Sequence, residues 1–206
     1  PKTIINSAAM VSHSWCENNQ KLAKLINSTA VSVMAKSANK VNARFIQIST
    51  DSYYSGDGAK AHTENDPVTP RSQYAKTKYS GEKYALTGKN ALVIRTNITG
   101  FRLNKKFPSF IEWAIMSLES GEEFQLFSDY YASTITTRQA SSIIFDLLSN
   151  GATGCLNVAC REVISKKNFV IAFAKRNGLP LDKMTTASIR NEPSVRSESI
   201  GLDIPQ

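Results

Sequence analysis

The sequence predicts an α/β fold with a doubly wound parallel sheet, in which helices cover both faces of the sheet. Three observations predict it. Short apolar segments with strand character alternate with longer amphipathic segments. The connections between successive strands are long enough to hold a helix, as parallel strands require. At 206 residues, the chain is also long enough to bury one sizeable core.

The elements follow one another regularly along the chain. The predicted strands are Thr3 to Ser7, Arg44 to Ser49, Ala91 to Thr96 and Cys155 to Ala159. The predicted helices are Asn19 to Asn39, Ser72 to Thr87, Phe107 to Ser120, Arg138 to Leu148 and Lys166 to Asn177. In the first helix, apolar residues recur at i, i+3 and i+4 from Leu22 to Met34, so we expect it to bury one face against the sheet.

Bulk composition excludes several classes of protein. A hydrophobic content of 41% with 20% charged residues is typical of a soluble globular protein. The net charge of +8 would permit nucleic-acid binding, but the basic residues are scattered, so we expect no nucleic-acid partner. The three cysteines argue against a zinc site or disulfide framework, and we interpret His13 and His62 as loop residues, so no metal is expected. Without a long apolar run or a signal sequence, we expect no membrane partner and a cytoplasmic location.

The side chains best suited to acid–base chemistry lie between Thr50 and Lys78. Thr50 falls just past the carboxyl end of the second predicted strand, where open α/β sheets place their ligands. Tyr74 and Lys78 follow on the next helix, four residues apart and therefore on one face. A neighbouring ammonium favours the phenolate, which brings a tyrosine closer to use as an acid or base near neutral pH. The spacing alone is more typical of an ordinary exposed pair, so the surrounding residues must show whether Tyr74 and Lys78 belong to a site.

A second pair, Tyr79 and Lys83, has the same spacing. Tyr74 and Tyr79 are separated by about 140° around a helix, so both cannot face one site. The two pairs therefore compete, and spacing within the helix does not choose between them.

The motifs around Tyr74 resemble those of the extended short-chain dehydrogenase/reductase family. The resemblance rests on Ile48-Ser49-Thr50-Asp51, Tyr74-x-Lys76-Thr77-Lys78 and Gly81-Glu82-Lys83, and on the 24 residues that separate Thr50 from Tyr74. It extends over most of the chain, and the dTDP-4-dehydrorhamnose reductases are the branch that it resembles most. Tyr79 lacks the corresponding distance from a hydroxyl residue, so we place Tyr79 on the helix surface.

The resemblance implies a Rossmann-type NAD(P)-binding fold with a small C-terminal substrate subdomain. Residues 1–100 would form the C-terminal part of the dinucleotide-binding domain and carry the catalytic residues. Residues 101–206 would form a mixed substrate-binding region plus the last Rossmann elements. The sequence has no Gly-rich turn of the kind that holds the cofactor pyrophosphate. By resemblance, the chain starts just before the fourth strand, so we expect that the first βαβ units, about 60 residues, are lacking.

The resemblance also implies an activity: NAD(P)H-dependent reduction of a nucleotide-linked 4-keto-6-deoxy sugar, with NADP or NAD as cofactor. The implied catalytic residues are Thr50, Tyr74 and Lys78. Tyr74 would donate a proton to the keto oxygen, Thr50 would hydrogen-bond that oxygen, and Lys78 would hold the nicotinamide ribose and lower the pKa of Tyr74. The implied cofactor-binding residues are Ala8, Ala9, Asn27, Ser49, Tyr74, Lys78 and Thr96. The implied substrate-binding residues are Val11, Thr50, Asn97 and Ile98.

Several alternatives stay open. Asn27 is equally well explained as a structural polar residue, and the small residues at strand ends as close-packing residues. Related dehydratases carry Thr-Asp-Glu where this chain has Thr50-Asp51-Ser52, so simple reduction fits better than dehydration. Ile98 stands where rhamnose reductases have an aromatic residue, which leaves the sugar undecided. A non-catalytic regulatory or binding subunit of the same fold, a nucleotide-sugar epimerase and a homodimeric assembly all remain open.

Overall fold

The computed structural model describes residues 1–54, 57–192 and 197–204. The strands are β1 (Thr3–Asn6), β2 (Arg44–Ile48), β3 (Ala61–His62), β4 (Ala91–Thr96), β5 (Ile98–Thr99), β6 (Phe124–Phe127), β7 (Tyr131–Ala132), β8 (Ile135–Thr136), β9 (Gly154–Val158), β10 (Ile164–Ser165), β11 (Met184–Ala187) and β12 (Ser199–Leu202). The helices are α1 (His13–Asn18), α2 (Gln20–Lys24), α3 (Ala30–Lys40), α4 (Gln73–Ala85), α5 (Phe110–Ser120), α6 (Thr137–Ser149) and α7 (Lys166–Asn177). A π-helical turn, Leu25–Thr29, joins α2 to α3.

The centre of the fold is a parallel sheet in the order β1, β2, β4, β9. Phe45 and Val93 point to one face of this sheet and pack with α3 and α4. Ile46, Leu92 and Ile94 point to the opposite face and pack with α6. Because neighbouring side chains of a strand alternate between faces, both faces are apolar and each is covered by helices. The predicted doubly wound parallel sheet, of the Rossmann type, is confirmed.

The first predicted helix is more complex than a single helix over Asn19 to Asn39. Its residues form α2, the π-helical turn and α3, and α1 precedes them as a separate helix that the sequence analysis missed. Ser12 begins α1, because its hydroxyl accepts a hydrogen bond from the backbone N–H of Trp15 at 3.3 Å. Asn19 separates α1 from α2, because its φ of −132° is not helical.

The helices that border the site begin at well-formed caps. Ser72 caps α4 by accepting from the backbone N–H of Ala75 at 3.1 Å. α5 begins three residues later than predicted, because Ser109 and Glu112 form a reciprocal capping box.

Among the described residues, no helix has the length and apolar character needed to span a membrane.

Smaller sheets, none of them predicted, join the second half of the chain to the first. β10, β7, β12 and β3 form one sheet, in which Gly201 of β12 lies opposite Ala61 of β3. His62 was interpreted as a loop residue, which is wrong: it belongs to β3 and is buried. β6 and β11 pair in parallel, and so do β5 and β8. The pairing of β5 with β8 holds the chain after β4 beside the start of α6, and the sheet that contains β3 and β10 joins the chain after β2 to the start of α7.

Candidate active site

A cavity of about 330 Å³ opens at the carboxyl end of the central sheet, past β2 and β4. Its position is the one that open α/β sheets use for ligands. The predicted site residues that line it are Val11, Ser49, Thr50, Tyr74, Thr96, Asn97 and Ile98. Segments far apart in the sequence therefore converge on one cavity.

The hydroxyl of Thr50 lies in a small network just after β2. It donates to the hydroxyl of Ser52 at 3.2 Å, and the backbone N–H of Ser52 donates to it at 3.2 Å. The Thr50 side chain is also hydrogen-bonded to the phenol of Tyr74, which lowers the pKa of that phenol. Thr50 and Tyr74, 24 residues apart in the sequence, therefore line the same cavity.

Burial nevertheless raises the pKa of Tyr74 to about 12. The nearby Asp51 raises it further, and the hydrogen bond from Thr50 opposes both effects. We expected Lys78 to lower this pKa; the net shift is in the opposite direction. At neutral pH Tyr74 therefore carries its proton, as a proton donor must.

Lys78 lies beneath the cavity and does not line it. Its ammonium donates to the backbone carbonyl of Ile48 at 2.7 Å. Burial lowers the pKa of Lys78 to about 8, and the charge of Glu82 opposes that shift. Ala8 and Ala9 also lie outside the cavity lining, so the structure does not bring these three predicted cofactor residues to its surface.

Asn27 is buried in the π-helical turn, and its side-chain oxygen and NH₂ group both have hydrogen-bond partners within the protein. Its side-chain oxygen accepts from the backbone N–H of Met10 at 2.8 Å, and its NH₂ group donates to the carbonyl of Met10 and the hydroxyl of Thr77. Asn27 therefore ties the loop after β1 to α4. Gly81 permits this close approach, because a Cβ there would collide with the backbone oxygen of Asn27. These contacts match the structural interpretation of Asn27.

Asp51 is a buried acid at the cavity wall. Burial raises its pKa to about 6, although the side chain of Asn97 donates to it at 2.6 Å and favours its charged form. Asn97 in turn accepts from the hydroxyl of Thr134 at 3.0 Å. The predicted substrate residue Asn97 thus also holds an ionisable carboxyl group in place.

The cavity contains residues that the sequence analysis missed. His13 was interpreted as a loop residue, which is wrong: it is the first residue of α1, and its ring centroid lies 4.9 Å from that of Tyr74. The helix-capping position of Ser12 was an available signal for this placement. Arg102 and Tyr130 also line the cavity, and they follow from no local pattern.

Tyr79 lies away from the cavity, as predicted, but it is not simply a surface residue. The ammonium of Lys83 lies 4.5 Å from the centroid of its ring, which makes this the ordinary side-chain pair that the spacing allowed. The ring also packs edge-to-face with that of Tyr53, with centroids 5.5 Å apart. Of the two tyrosines, Tyr74 lines the cavity and Tyr79 does not.

The chain is similar to several known proteins. Residues 1–199 match the family model described as the RmlD substrate binding domain. The chain is 29% identical over 180 residues to the spore coat polysaccharide biosynthesis protein SpsK of Bacillus subtilis, covering 87% of this chain and 62% of that protein. It is 40% identical over 83 residues to the dTDP-4-dehydrorhamnose reductase of Escherichia coli, covering 40% of this chain and 28% of that enzyme.

A solved structure has the same fold. The dTDP-4-dehydrorhamnose reductase of Bacillus anthracis, in complex with NADP, is 21% identical and has a TM-score of 0.91, over 100% of this chain and 73% of that one. The chain spans less than two thirds of the length of the two curated relatives, 62% and 28%.

Proposed function

The chain belongs to the RmlD substrate-binding domain family, and on this premise we propose that it carries the proton-donating and substrate-binding part of a sugar-nucleotide reductase. The substrate would be a nucleotide-linked 4-keto-6-deoxy sugar, and the reductant NADPH or NADH. One observation carries the proposal: Thr50 and Tyr74, predicted as a pair, line one cavity at the carboxyl edge of the sheet, and the Thr50 side chain lowers the pKa of the Tyr74 phenol. The names of the relatives support the substrate class.

The protonation state of Tyr74 supports its role as the acid. With a pKa raised to about 12, its phenol holds its proton until a stronger base forms beside it. An alkoxide developing from a ketone is such a base. Thr50 would donate a hydrogen bond to the same oxygen, and a donor already placed at that position stabilises the developing charge.

The chemistry of the cavity lining suits the nicotinamide part of NADP. The hydroxyl of Thr96 is buried at the cavity wall, and no partner for it occurs within residues 1–54, 57–192 and 197–204. Such an orphaned donor suits the amide or ribose of a nicotinamide nucleotide. Thr96, Ser49 and Tyr74 would hold that end, and Lys78 would place its charge beneath it. When bound, the cofactor supplies the hydride.

The test is oxidation of NADPH by the full-length natural protein with a dTDP-4-keto-6-deoxy sugar. We expect turnover that requires the keto sugar. A folded protein that binds the sugar nucleotide without oxidising NADPH would overturn the reductase proposal in favour of a non-catalytic binding subunit.

A nucleotide-sugar epimerase is a second candidate, favoured by Asp51. This carboxyl group lines the cavity with a pKa raised to about 6, which suits a base that removes a proton beside a carbonyl. Reaction in D₂O separates the two functions. Deuterium at a ring carbon next to the carbonyl, with inverted configuration, indicates epimerisation; its absence indicates simple reduction.

A further inference from the structure

His13 lines the candidate active site, and the proposed reduction gives it no role. It is the first residue of α1 and is only partly buried. Its ring centroid lies 4.9 Å from that of Tyr74, and the planes of the two rings are inclined by 51°. Histidine is the side chain whose ordinary pKa lies closest to neutral pH. A group that readily gains and loses a proton therefore contacts the proposed proton donor.

The position of His13 beside Tyr74 is fixed by contacts between α1 and α4. The carboxylate of Glu17, on α1, accepts from the backbone N–H of Gln73 at 2.8 Å, at the first residue of α4. Cys16, also on α1, is buried in one apolar cluster with Tyr74. Because both ends of this contact are tied together, the imidazole and the phenol keep their relative position.

Tyr74 must recover a proton after every turnover of the proposed reduction. As hydride reaches the ketone carbon, the O–H bond of Tyr74 breaks, an O–H bond forms on the sugar, and a phenolate remains. Burial and the charge of Asp51 both disfavour this phenolate, and they raise the pKa of the phenol to about 12. An imidazolium, with an ordinary pKa of about 6.5, is a much stronger acid than this phenol. Transfer of a proton from an imidazolium to Tyr74 is therefore strongly favourable.

Lys78, one turn after Tyr74 on α4, is less suited to take that proton from water. Its ammonium donates to the backbone carbonyl of Ile48 at 2.7 Å. Its side chain does not line the cavity, and the residue is only 4% exposed. His13 is more exposed and faces the open cavity. Of these two basic residues, His13 is the one that both the water in the cavity and Tyr74 can reach.

We propose that His13 relays protons from water in the cavity to Tyr74 and so restores the acid between turnovers. In each cycle an N–H bond of the imidazolium breaks, the O–H bond of Tyr74 forms again, and the neutral imidazole takes a proton from water. His13 thus acts through Tyr74 and not on the sugar. The inference rests on the proposed function, because it requires that Tyr74 give its proton to a ketone.

The test is stopped-flow measurement of NADPH oxidation by the full-length natural protein with a dTDP-4-keto-6-deoxy sugar. The first turnover uses the proton that Tyr74 already holds, whereas later turnovers depend on the relay. We expect His13→Phe, which keeps a ring against Tyr74, to leave the first turnover within about twofold and to slow the steady state by about tenfold or more. NADPH oxidation should then show a burst equal to the concentration of active sites.

Asn18→Ala is the matched control, because Asn18 is the exposed last residue of α1 and lies outside the cavity lining. Both phases should keep their native rates in this variant. His13→Ala supplies a second readout. Its steady state should also be slow, and imidazole added to the buffer should restore it in proportion to the imidazole concentration, without accelerating the unaltered protein.

A native steady-state rate in folded His13→Phe protein would overturn the relay. Equal slowing of the first and later turnovers would overturn it as well, because a residue that only shapes the site slows the chemical step itself. If His13→Phe does not fold by circular dichroism, His13→Gln is measured in its place against the same two outcomes. Absence of NADPH oxidation by the unaltered protein would overturn the proposed function together with the relay, whereas normal turnover without dependence on His13 overturns the relay alone.

Discussion

Two adjoining cavities place their charges differently: the candidate active site, and a second cavity of about 310 Å³ that shares part of its lining. Beneath the first cavity, Lys78 is held by the carbonyl of Ile48 inside the protein, and the cavity lining combines hydroxyl groups with Asp51 and Arg102. At the second, Lys166 lies between aromatic rings and faces the open space. An ammonium that already has a protein acceptor organises the site, whereas one without such an acceptor among the described residues is available to a ligand. We therefore expect chemistry at the first cavity and binding of a part of the substrate that does not react at the second.

The largest expected effect is that of Tyr74→Phe. Removing the proton donor should lower kcat of the proposed reduction by about 10²- to 10⁴-fold and leave the affinity for the sugar nucleotide nearly unchanged. Tyr79→Phe, the matched control, should keep nearly full turnover, because Tyr79 packs on Tyr53 outside the cavity. Steady-state kinetics and calorimetry measure the two quantities. Equal losses of turnover in both variants would contradict the site assignment.

Asp51 lines the first cavity, and its effect should appear as a pH dependence of stability. Because the folded protein raises the pKa of Asp51 to about 6, it binds this proton more tightly than the unfolded chain does. Its contribution to the free energy of unfolding is present below the unfolded pKa of 3.8 and is lost as pH rises through about 6. The total change is roughly 3 kcal/mol.

Asp51→Asn should flatten this part of the pH profile, as measured by urea denaturation at a series of pH values between 3 and 7. Asp146→Asn, on an exposed turn of α6, serves as the control and should keep the native slope. An unchanged slope in Asp51→Asn would show that the carboxyl group titrates normally.

Gly81→Ala tests the close contact between α4 and the π-helical turn behind the first cavity. Its Cβ would meet the backbone oxygen of Asn27, which cannot rotate away, so we expect destabilisation by about 1–3 kcal/mol and reduced turnover. Lys76→Ala, at an exposed position of the same helix, should change stability by less than about 0.5 kcal/mol. Urea denaturation measures both. If the effect is local, the affinity for the sugar nucleotide stays the same in folded Gly81→Ala protein.

The smallest expected effect is kinetic and belongs to Lys166→Gln. In the proposed reduction it should raise KM for the sugar nucleotide by about tenfold and change kcat much less, because a contact to a part of the substrate that does not react is made equally before and during the reaction. A loss confined to kcat would mean that Lys166 acts on the chemistry, and the division between the two cavities would then be wrong.

Local patterns in the sequence were sufficient for much of the fold. The central strands and α4, α6 and α7 were predicted to within one or two residues, because their apolar periodicity and caps are encoded by neighbouring residues. The short strands β3, β5, β7, β8 and β10 were missed. Each has two residues and forms only when a distant partner supplies its hydrogen bonds, so no local pattern marks it.

The candidate site likewise contains residues that the sequence predicts and residues that only the tertiary structure brings together. Thr50 and Tyr74 could be chosen from the sequence, because Thr50 follows a predicted strand and its 24-residue separation from Tyr74 resembles that of the short-chain dehydrogenase/reductase family. Lys166, Arg102 and Tyr130 could not, because they come together only when α7 and two loops pack around the first half of the chain. The direction in which the pKa of Tyr74 shifts could likewise not be predicted from the sequence. Burial outweighs its neighbours in setting that value, and burial exists only in the packed tertiary structure.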